Sequence, residues 1–515
     1  MTDLGFWNLA QQSPDKLALI DPQERQWSRG DLLAEANRVA HGLRALGLAQ
    51  GDCVALVMEN CAEFFHINLA ITQIGLYMTP INNHLTAPEI AYIVKDSGAK
   101  VFFGSEKFSD ACQAAREELD FPSERAFALG NVEGFRPLAD LTSGQADRLP
   151  EDRSAGQVMN YTSGTTGKPK GVRRPLAPMD PDLIAGLTTG LLAMFGLQPE
   201  DDNIHICGSP LYHTAVLMFS STSLHMGHAV VLTEKWEPEA MLRLIEKYRV
   251  TQSHMVPTQF NRLLKLDPAI RAQYDVSSLR AMIHAAAPCP IDTKWKMLEW
   301  WGDSIYEYYA ATEGGGTLVT PQEWRERPGT VGQAWPNAEV KIFDDDANEL
   351  EPNHVGTVYM KLGQADFKYK DADAKTRENR IGNFFTVGDV GELDDAGYLF
   401  LRDRKTDMII SGGANIYPAE IEAELVQHPK VADVAVFGIP NDDWGEEIKA
   451  VIQPMDGVET GPALTQELFV WCAERLAKMK TPRTIDYLAE LPRDPNGKLY
   501  KRKLRDPYWA GRSQI

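Results

Sequence analysis

Cysteine is scarce, and its spacing forms no motif. Six cysteines stand at positions 53, 61, 112, 207, 289 and 472, with no Cys-x-x-Cys pair among them. That pattern excludes a zinc or disulfide framework and predicts reduced thiols in a cytoplasmic protein. Long apolar runs are missing too, since none approaches the roughly 18 residues that a membrane-spanning helix needs. The first residues, MTDLGFWNLAQQSPDK, lack a cationic segment followed by an apolar one, and the last three, SQI, are neither a peroxisomal nor a prenylation address. No targeting signal is expected. Positive charge is in deficit: 52 Lys and Arg against 72 Asp and Glu give a net charge of −20 and a pI near 5.1. General binding to nucleic acid or to an anionic membrane needs a broad cationic face, so both are excluded; a local basic pocket is not. What is present is ordinary: 515 residues, 43% apolar and 24% charged, which predict roughly two to four soluble domains with a large core.

Helical and strand patterns alternate through the first 400 residues. Residues 31–46 carry Leu32, Leu33, Ala36, Val39, Ala40 and Leu43 at helical spacing, with Gly47 as a stop. Cys53 to Met58 reads as a strand. Thr86 and Glu89 form a capping-box pair ahead of Ile90, Ile93 and Val94, Gly98 ends that helix, and Val101–Phe103 reads as the next strand. Such alternation implies parallel sheets covered by helices, and Val54–Val57 and Val230–Leu232 are apolar without alternation, as strands buried on both faces are. After about residue 400 the texture changes. Pro418 opens a short helix, strands follow at Val431–Phe437 and Ile448–Pro454, and a helix is expected near 464–479. The fold expected is α/β, a large N-terminal domain of layered, mostly parallel sheets over residues 1–403. A hinge at 404–407 joins it to a smaller, mobile α+β domain over 408–515.

The most informative segment is YTSGTTGKPKGV, residues 161–172. It holds three glycines, the hydroxyls of Thr162, Ser163, Thr165 and Thr166, and two lysines, Lys168 and Lys170. Glycines let backbone amides approach an anion, hydroxyls add donors and lysines add charge, so the string suits a polyphosphate. It is not a Walker A loop. Gly164 and Gly167 are separated by two residues rather than four, and Pro169 stands where a magnesium-binding Ser/Thr would follow Lys168.

That string resembles the phosphate-binding signature of the adenylate-forming superfamily, which includes acyl-CoA synthetases, peptide-synthetase adenylation domains and beetle luciferases. Five further segments resemble that family in the same order: SPLYHTA (209–215), HAAAPCP (284–290), YYAATEGGG (308–316), TVGDVGELDDAGYLFLRDRKTDMIISGGANIYPAEIE (386–422) and LPRDPNGKLYKRKLR (491–505). The resemblance implies an acid–thiol ligase: ATP and a carboxylate give an acyl-adenylate and pyrophosphate, then CoA gives an acyl-CoA and AMP. Two anions must meet in the first step, so charge stabilisation and positioning are the protein's task.

By the same resemblance Lys498, in the turn Asp494-Pro495-Asn496-Gly497, reaches the carboxylate and α-phosphate oxygens. Thr312 donates to the α-phosphate, and Glu313, with Thr165, serves Mg2+. The nucleotide is held by Thr162, Ser163, Gly164, Thr165, Thr166, Gly167 and Lys170, by Ala286, Ala287, Pro288, Tyr309 and Ala310, by Asp389 on the ribose and by Arg404. His213 sits beside the reacting carboxylate, with a satisfied core histidine as its alternative; for Arg404 the alternative is a surface ion pair. Gly412 and Gly413 stand where the pantetheine of CoA passes, and Thr406 at the hinge. Residues 481–505 contain seven Lys/Arg against three acids, which reads as a basic rim for CoA or as a solvated tail. Ala285 and Ala310 stand where the family usually has glycine, and Val387 replaces a threonine.

The expected substrates are therefore a small carboxylic acid, ATP and CoA, with no nucleic acid; a second copy of the chain as partner is left open. A medium- to long-chain fatty acid is the first expectation and a bulky cyclic or aryl acid the second. The apolar stretch Leu211–Ser223 and the segment bearing Trp295, Trp300 and Trp301 suit either an acyl channel or core packing. An amino-acid-activating module would show an acidic residue near Tyr212–His213, and none is there. A non-catalytic acyl-nucleotide sensor, the reading from another class, would be expected to lose Lys498 or Glu313.

Overall fold

The computed structural model of the protein describes residues 4–162, 169–200, 202–311, 314–363, 368–369, 379–493 and 499–510. The chain forms two compact units. One comprises Met1–Met255, Leu266–Ile283 and Asp366–Glu378; the other comprises Val256–Lys265, His284–Ala365 and Asn379–Ile515.

Parallel sheets dominate the first unit. Six strands lie in the order Arg136–Pro137, Ala126–Leu129, Ala99–Ser105, Cys53–Leu56, Tyr77–Pro80 and Gln157–Val158, every neighbouring pair parallel. A second parallel set runs Gln252–Met255, Ile204–Cys207, Ala229–Leu232 and Leu17–Ile20, with Gln26–Ser28 antiparallel at its edge. All four residues of Cys53–Leu56 and of Ala229–Leu232 are buried, which is why neither strand alternates in sequence. The helix expected over 31–46 runs Arg29–Ala45. Ser28 and Asp31 form a capping box at its start, and the predicted apolar positions 32, 33, 36, 39, 40 and 43 are all buried. Each leucine or valine among them contributes roughly 1.5–3 kcal/mol by leaving water. The Thr86–Glu89 box is likewise present, Glu89 accepting from both the backbone and the hydroxyl of Thr86, and Gly98 ends that helix at φ 69°.

The second unit is largely antiparallel. Ile305–Ala310, Gly316–Val319 and Gln333–Ala334 pair antiparallel, and Gly356–Leu362 pairs antiparallel with Ala338–Phe343, Phe384–Phe385 and Asp389–Leu393, the last also with Leu399–Arg404. Parallel sheets thus hold for the first 250 residues but not for 305–404. The connections there are too short for a crossover: five residues separate Ala310 from Gly316, and five separate Leu393 from Leu399. The α+β body near the C-terminus follows the expected order. Helix Pro418–Leu425 and helix Pro462–Arg475 pack on the hairpin Val431–Asn441 with Gly445–Pro454 through Ile421, Leu425, Val434, Val436, Ile452 and Leu468. Thr484–Tyr487, inside the basic stretch, adds a parallel strand that the charge pattern concealed.

Candidate active site

In the first unit the glycine-rich string is bracketed by two short strands. Tyr161–Thr162 pairs antiparallel with Lys170–Arg173, placing Lys170 opposite Thr162 and Gly171 opposite Tyr161. Both flanks are pinned. Tyr161 Oη donates to Asp96 Oδ2 at 2.6 Å, and Tyr92 Oη donates to the Pro169 carbonyl at 3.1 Å. Burial and the adjacent Asp96 carboxylate push the Tyr161 phenol up, which keeps it a donor. Ser163, Gly164, Thr165, Thr166 and Gly167 lie outside the described residues, as do Thr312, Glu313 and Lys498; Thr162 is described in its backbone alone.

His213 is half-buried and stands at the N-cap position of the helix Thr214–His225, whose positive dipole end lies there. Its ring centroid is 4.4 Å from that of Tyr212. The loop before it is held by Asn60, a residue that sequence reading missed. Asn60 Nδ2 donates to the carbonyls of Ser209 (2.9 Å) and Thr233 (3.0 Å), while Oδ1 accepts from the Leu211 amide at 2.8 Å. No composition signal marks an asparagine that binds backbone more than a hundred residues away. Leu211, Val216 and Leu217 belong to the main core cluster of this unit, so core packing accounts for much of the apolar stretch around His213.

The second unit assembles three predicted residues. Asp389 pairs across the sheet with Arg404, whose Nε lies 3.5 Å from Asp389 Oδ1. Tyr309, on strand Ile305–Ala310, donates its phenol to Asp389 Oδ2 at 2.6 Å. The ion pair foreseen as Arg404's alternative thus exists, and its partner is Asp389 itself. Ala310 stands opposite Gly316, where an added Cβ would meet the Tyr309 carbonyl at 2.3 Å. Glycine is required there. In the turn 285–288, Ala285 is buried, and Ala286 is exposed with φ 72°. An alanine in that left-handed region costs about 1–2 kcal/mol, so the backbone strain falls on Ala286 and not on Ala285 or Ala310, the two alanines that stand at family glycine positions. Ala287 and Pro288 follow, half-buried and exposed. The tryptophans of helix Ile291–Trp301 pack internally, Trp295 edge-on to Trp324 and Trp301 edge-on to Phe260.

Within 404–407, the expected hinge, the Thr406 carbonyl accepts from Arg505 Nη1 at 3.0 Å. Asp403 Oδ2 accepts from the Ala419 amide at 2.9 Å; burial pushes its carboxyl up, with Lys501 opposing. Lys501 itself pairs with Glu422 at 2.9 Å, and Arg493 binds both oxygens of Asp433. Three of the seven basic residues in 481–505 are therefore engaged inside the protein. Gly412 and Gly413 have φ 58° and 80°, and a Cβ on Gly412 would lie 2.6 Å from the Trp444 ring. Trp444 is 48% exposed, with the Arg483 guanidinium 5.3 Å from its ring centroid.

Two family models match. The AMP-binding enzyme model covers residues 6–365, and the AMP-binding enzyme C-terminal domain model covers 420–498. The chain belongs to the AMP-binding enzyme family. This AMP-binding enzyme falls among the adenylate-forming proteins that its motifs resemble, in the class of acid–thiol ligases. It is 32% identical to the long-chain-fatty-acid–CoA ligase FadD13 of Mycobacterium tuberculosis over 99% of both chains. It is 30% identical to the 2-succinylbenzoate–CoA ligase of Bacillus licheniformis over 96% of this chain and 98% of the relative. Among solved structures it resembles the anthranilate CoA ligase AuaEII in complex with anthranoyl-AMP, with a TM-score of 0.85 and 26% identity over 99% and 98% of the two chains.

Proposed function

We propose that this enzyme joins a carboxylic acid to CoA in two steps: the carboxylate oxygen attacks the α-phosphorus of ATP and displaces pyrophosphate, giving an acyl-adenylate, and the CoA thiol then attacks the acyl carbon and displaces AMP. The observation that carries the reading is the Tyr309–Asp389–Arg404 cluster. Asp389 uses one oxygen for the Tyr309 phenol and the other toward Arg404, which leaves lone pairs for a ribose diol on a carboxylate held in place. Tyr309 and the turn Ala286–Pro288 border the base, Thr162 to Gly167 with Lys170 cradle the phosphates, and Thr312 contacts the α-phosphate. Lys498 bridges carboxylate and phosphate oxygens in the first step. His213, at a helix N-terminus, orients the acid.

Mg2+ suits this donor chemistry. A single carboxylate, Glu313, with the hydroxyl of Thr165 is a sparse set, and a magnesium ion that takes most of its oxygens from phosphates and water needs no more. Among the described residues no cluster of three or more His, Cys, Asp or Glu is arranged to hold a metal. When bound, the ion neutralises phosphate charge.

CoA docks along Gly412–Gly413, where the exposed Trp444 face offers a stacking surface and Arg483 a cation. Residues 1–403 and 408–515 act as two domains about Thr406. A cytoplasmic location agrees with six free thiols, five of them buried; among the described residues no helix is long and apolar enough to cross a membrane.

A medium- to long-chain fatty acid is the leading substrate, supported by the similarity to FadD13. A bulky cyclic or aryl acid is the second, supported by the 2-succinylbenzoate and anthranilate ligases. AMP formation across a panel of fatty, cyclic and aryl acids with CoA tests both. A preference for C8–C18 fatty acids supports the first, and a preference for ring-bearing acids replaces it with the second. No acid-dependent AMP from any of them rejects the ligase reading.

A further inference from the structure

The Tyr309 strand also carries part of a buried ionic node outside the residues assigned above. Lys294, on helix Ile291–Trp301, places Nζ 2.5 Å from Glu307 Oε2, with the two side chains 1% and 8% exposed. His284 Nε2 lies 3.5 Å from the same oxygen, fully buried. The Lys294 ammonium also sits 4.7 Å from the ring centroid of Trp324, which is itself buried and edge-on to Trp295. Burial pushes the Glu307 carboxyl up, and Lys294 opposes it.

The position of this node in the chain is informative. Glu307 is two residues before Tyr309 on the same strand, so both side chains lie on one face of it. His284 immediately precedes the turn 285–288, where Ala286 holds its unfavourable φ. A buried ion pair is costly to assemble and contributes little net stability compared with apolar residues of the same volume. Its retention next to two site-forming segments calls for another role, and fixing geometry is one that such pairs are suited to.

We infer that Glu307 is a positioning residue for the nucleotide. Its Oε2, hydrogen-bonded to Lys294 and packed 3.5 Å from His284 Nε2, sets the 285–288 turn and Tyr309 in one fixed relation, and so sets affinity for the adenosine moiety. This rests on the nucleotide role proposed for Tyr309 and that turn. The node touches neither acid nor CoA; it acts through the backbone segments that flank it.

The test is AMP binding by calorimetry, together with thermal unfolding, on the full-length protein; neither needs the acid to be known. Glu307→Gln is expected to bind AMP about tenfold more weakly, the scale of one lost hydrogen bond to a charged group. The double variant Lys294→Met/Glu307→Leu replaces the pair by apolar side chains; it is expected to regain the wild-type Tm while AMP affinity stays low. That split distinguishes positioning from simple support of the fold. Recovery of AMP affinity together with Tm in the double variant overturns the inference, as does wild-type affinity in folded Glu307→Gln. If Glu307→Gln does not fold, the double variant carries the test alone. A wild-type protein that fails to bind AMP removes the nucleotide reading itself and this inference with it.

Discussion

The Tyr309 phenol reaches across from the strand Ile305–Ala310 to Asp389, at the start of another strand, and donates to its carboxylate at 2.6 Å. A hydrogen bond to a charged acceptor is worth about 1.5–3 kcal/mol. Tyr309→Phe removes it and leaves the aromatic face intact. AMP affinity, measured by calorimetry, should fall by roughly 10- to 100-fold, with a drop of a few degrees in Tm. Unchanged affinity would mean that Asp389 is held by other groups.

Asn60 ties the Ser209–His213 loop to Thr233 through three hydrogen bonds, two to the loop and one to the Thr233 carbonyl. Asn60→Ala leaves two carbonyls and one amide without that partner, at about 1–3 kcal/mol for each buried group left unsatisfied. A drop of several degrees in Tm is expected, and turnover should fall because His213 loses its anchor. Wild-type turnover in a destabilised variant would separate Asn60 from catalysis.

Two helix starts, the buried strands and the order of the C-terminal elements were legible because each is a local signal: the capping pair Thr86–Glu89, the apolar run at Val54, the Pro418 start. The antiparallel sheet over 338–404 was not. Its strands mix charged and apolar residues, and their partners are chosen by short loops rather than by composition. In the site, Tyr309, Asp389 and Arg404 were identified by motif and do meet. Asn60, Glu307 and Lys294 were missed because their roles come from partners distant in sequence. In the basic stretch, the internal partners of Arg493, Lys501 and Arg505, namely Asp433, Glu422 and the Thr406 carbonyl, were hidden for a related reason.

Four buried histidines predict acid sensitivity. Burial lowers His66 and His205 to about 3 and His225 and His254 to about 4. Unfolded imidazoles take up protons near pH 6.5, so below that pH the unfolded state binds more protons and stability falls. Above it both states are neutral and these groups contribute nothing. Tm should therefore be flat from pH 7.5 to 8.5 and decline steadily from 6.5 toward 4. A constant Tm between pH 6.5 and 4.5 would contradict the buried neutral assignment.

Thr406→Pro restricts φ at the proposed hinge to about −65°. If the C-terminal domain turns about this residue, thioester formation should slow more than pyrophosphate release. Equal rates in both steps, each as in the wild type, would remove the hinge from Thr406.

Lys498→Ala puts the central proposal, an amine on the C-terminal domain that acts only in adenylation, to the most direct trial. Acid-dependent pyrophosphate release should fall by about 10²–10³, as it does for a lost oxyanion donor, while transfer from a supplied acyl-adenylate to CoA proceeds at the wild-type rate. Equal loss of both half-reactions would contradict the account.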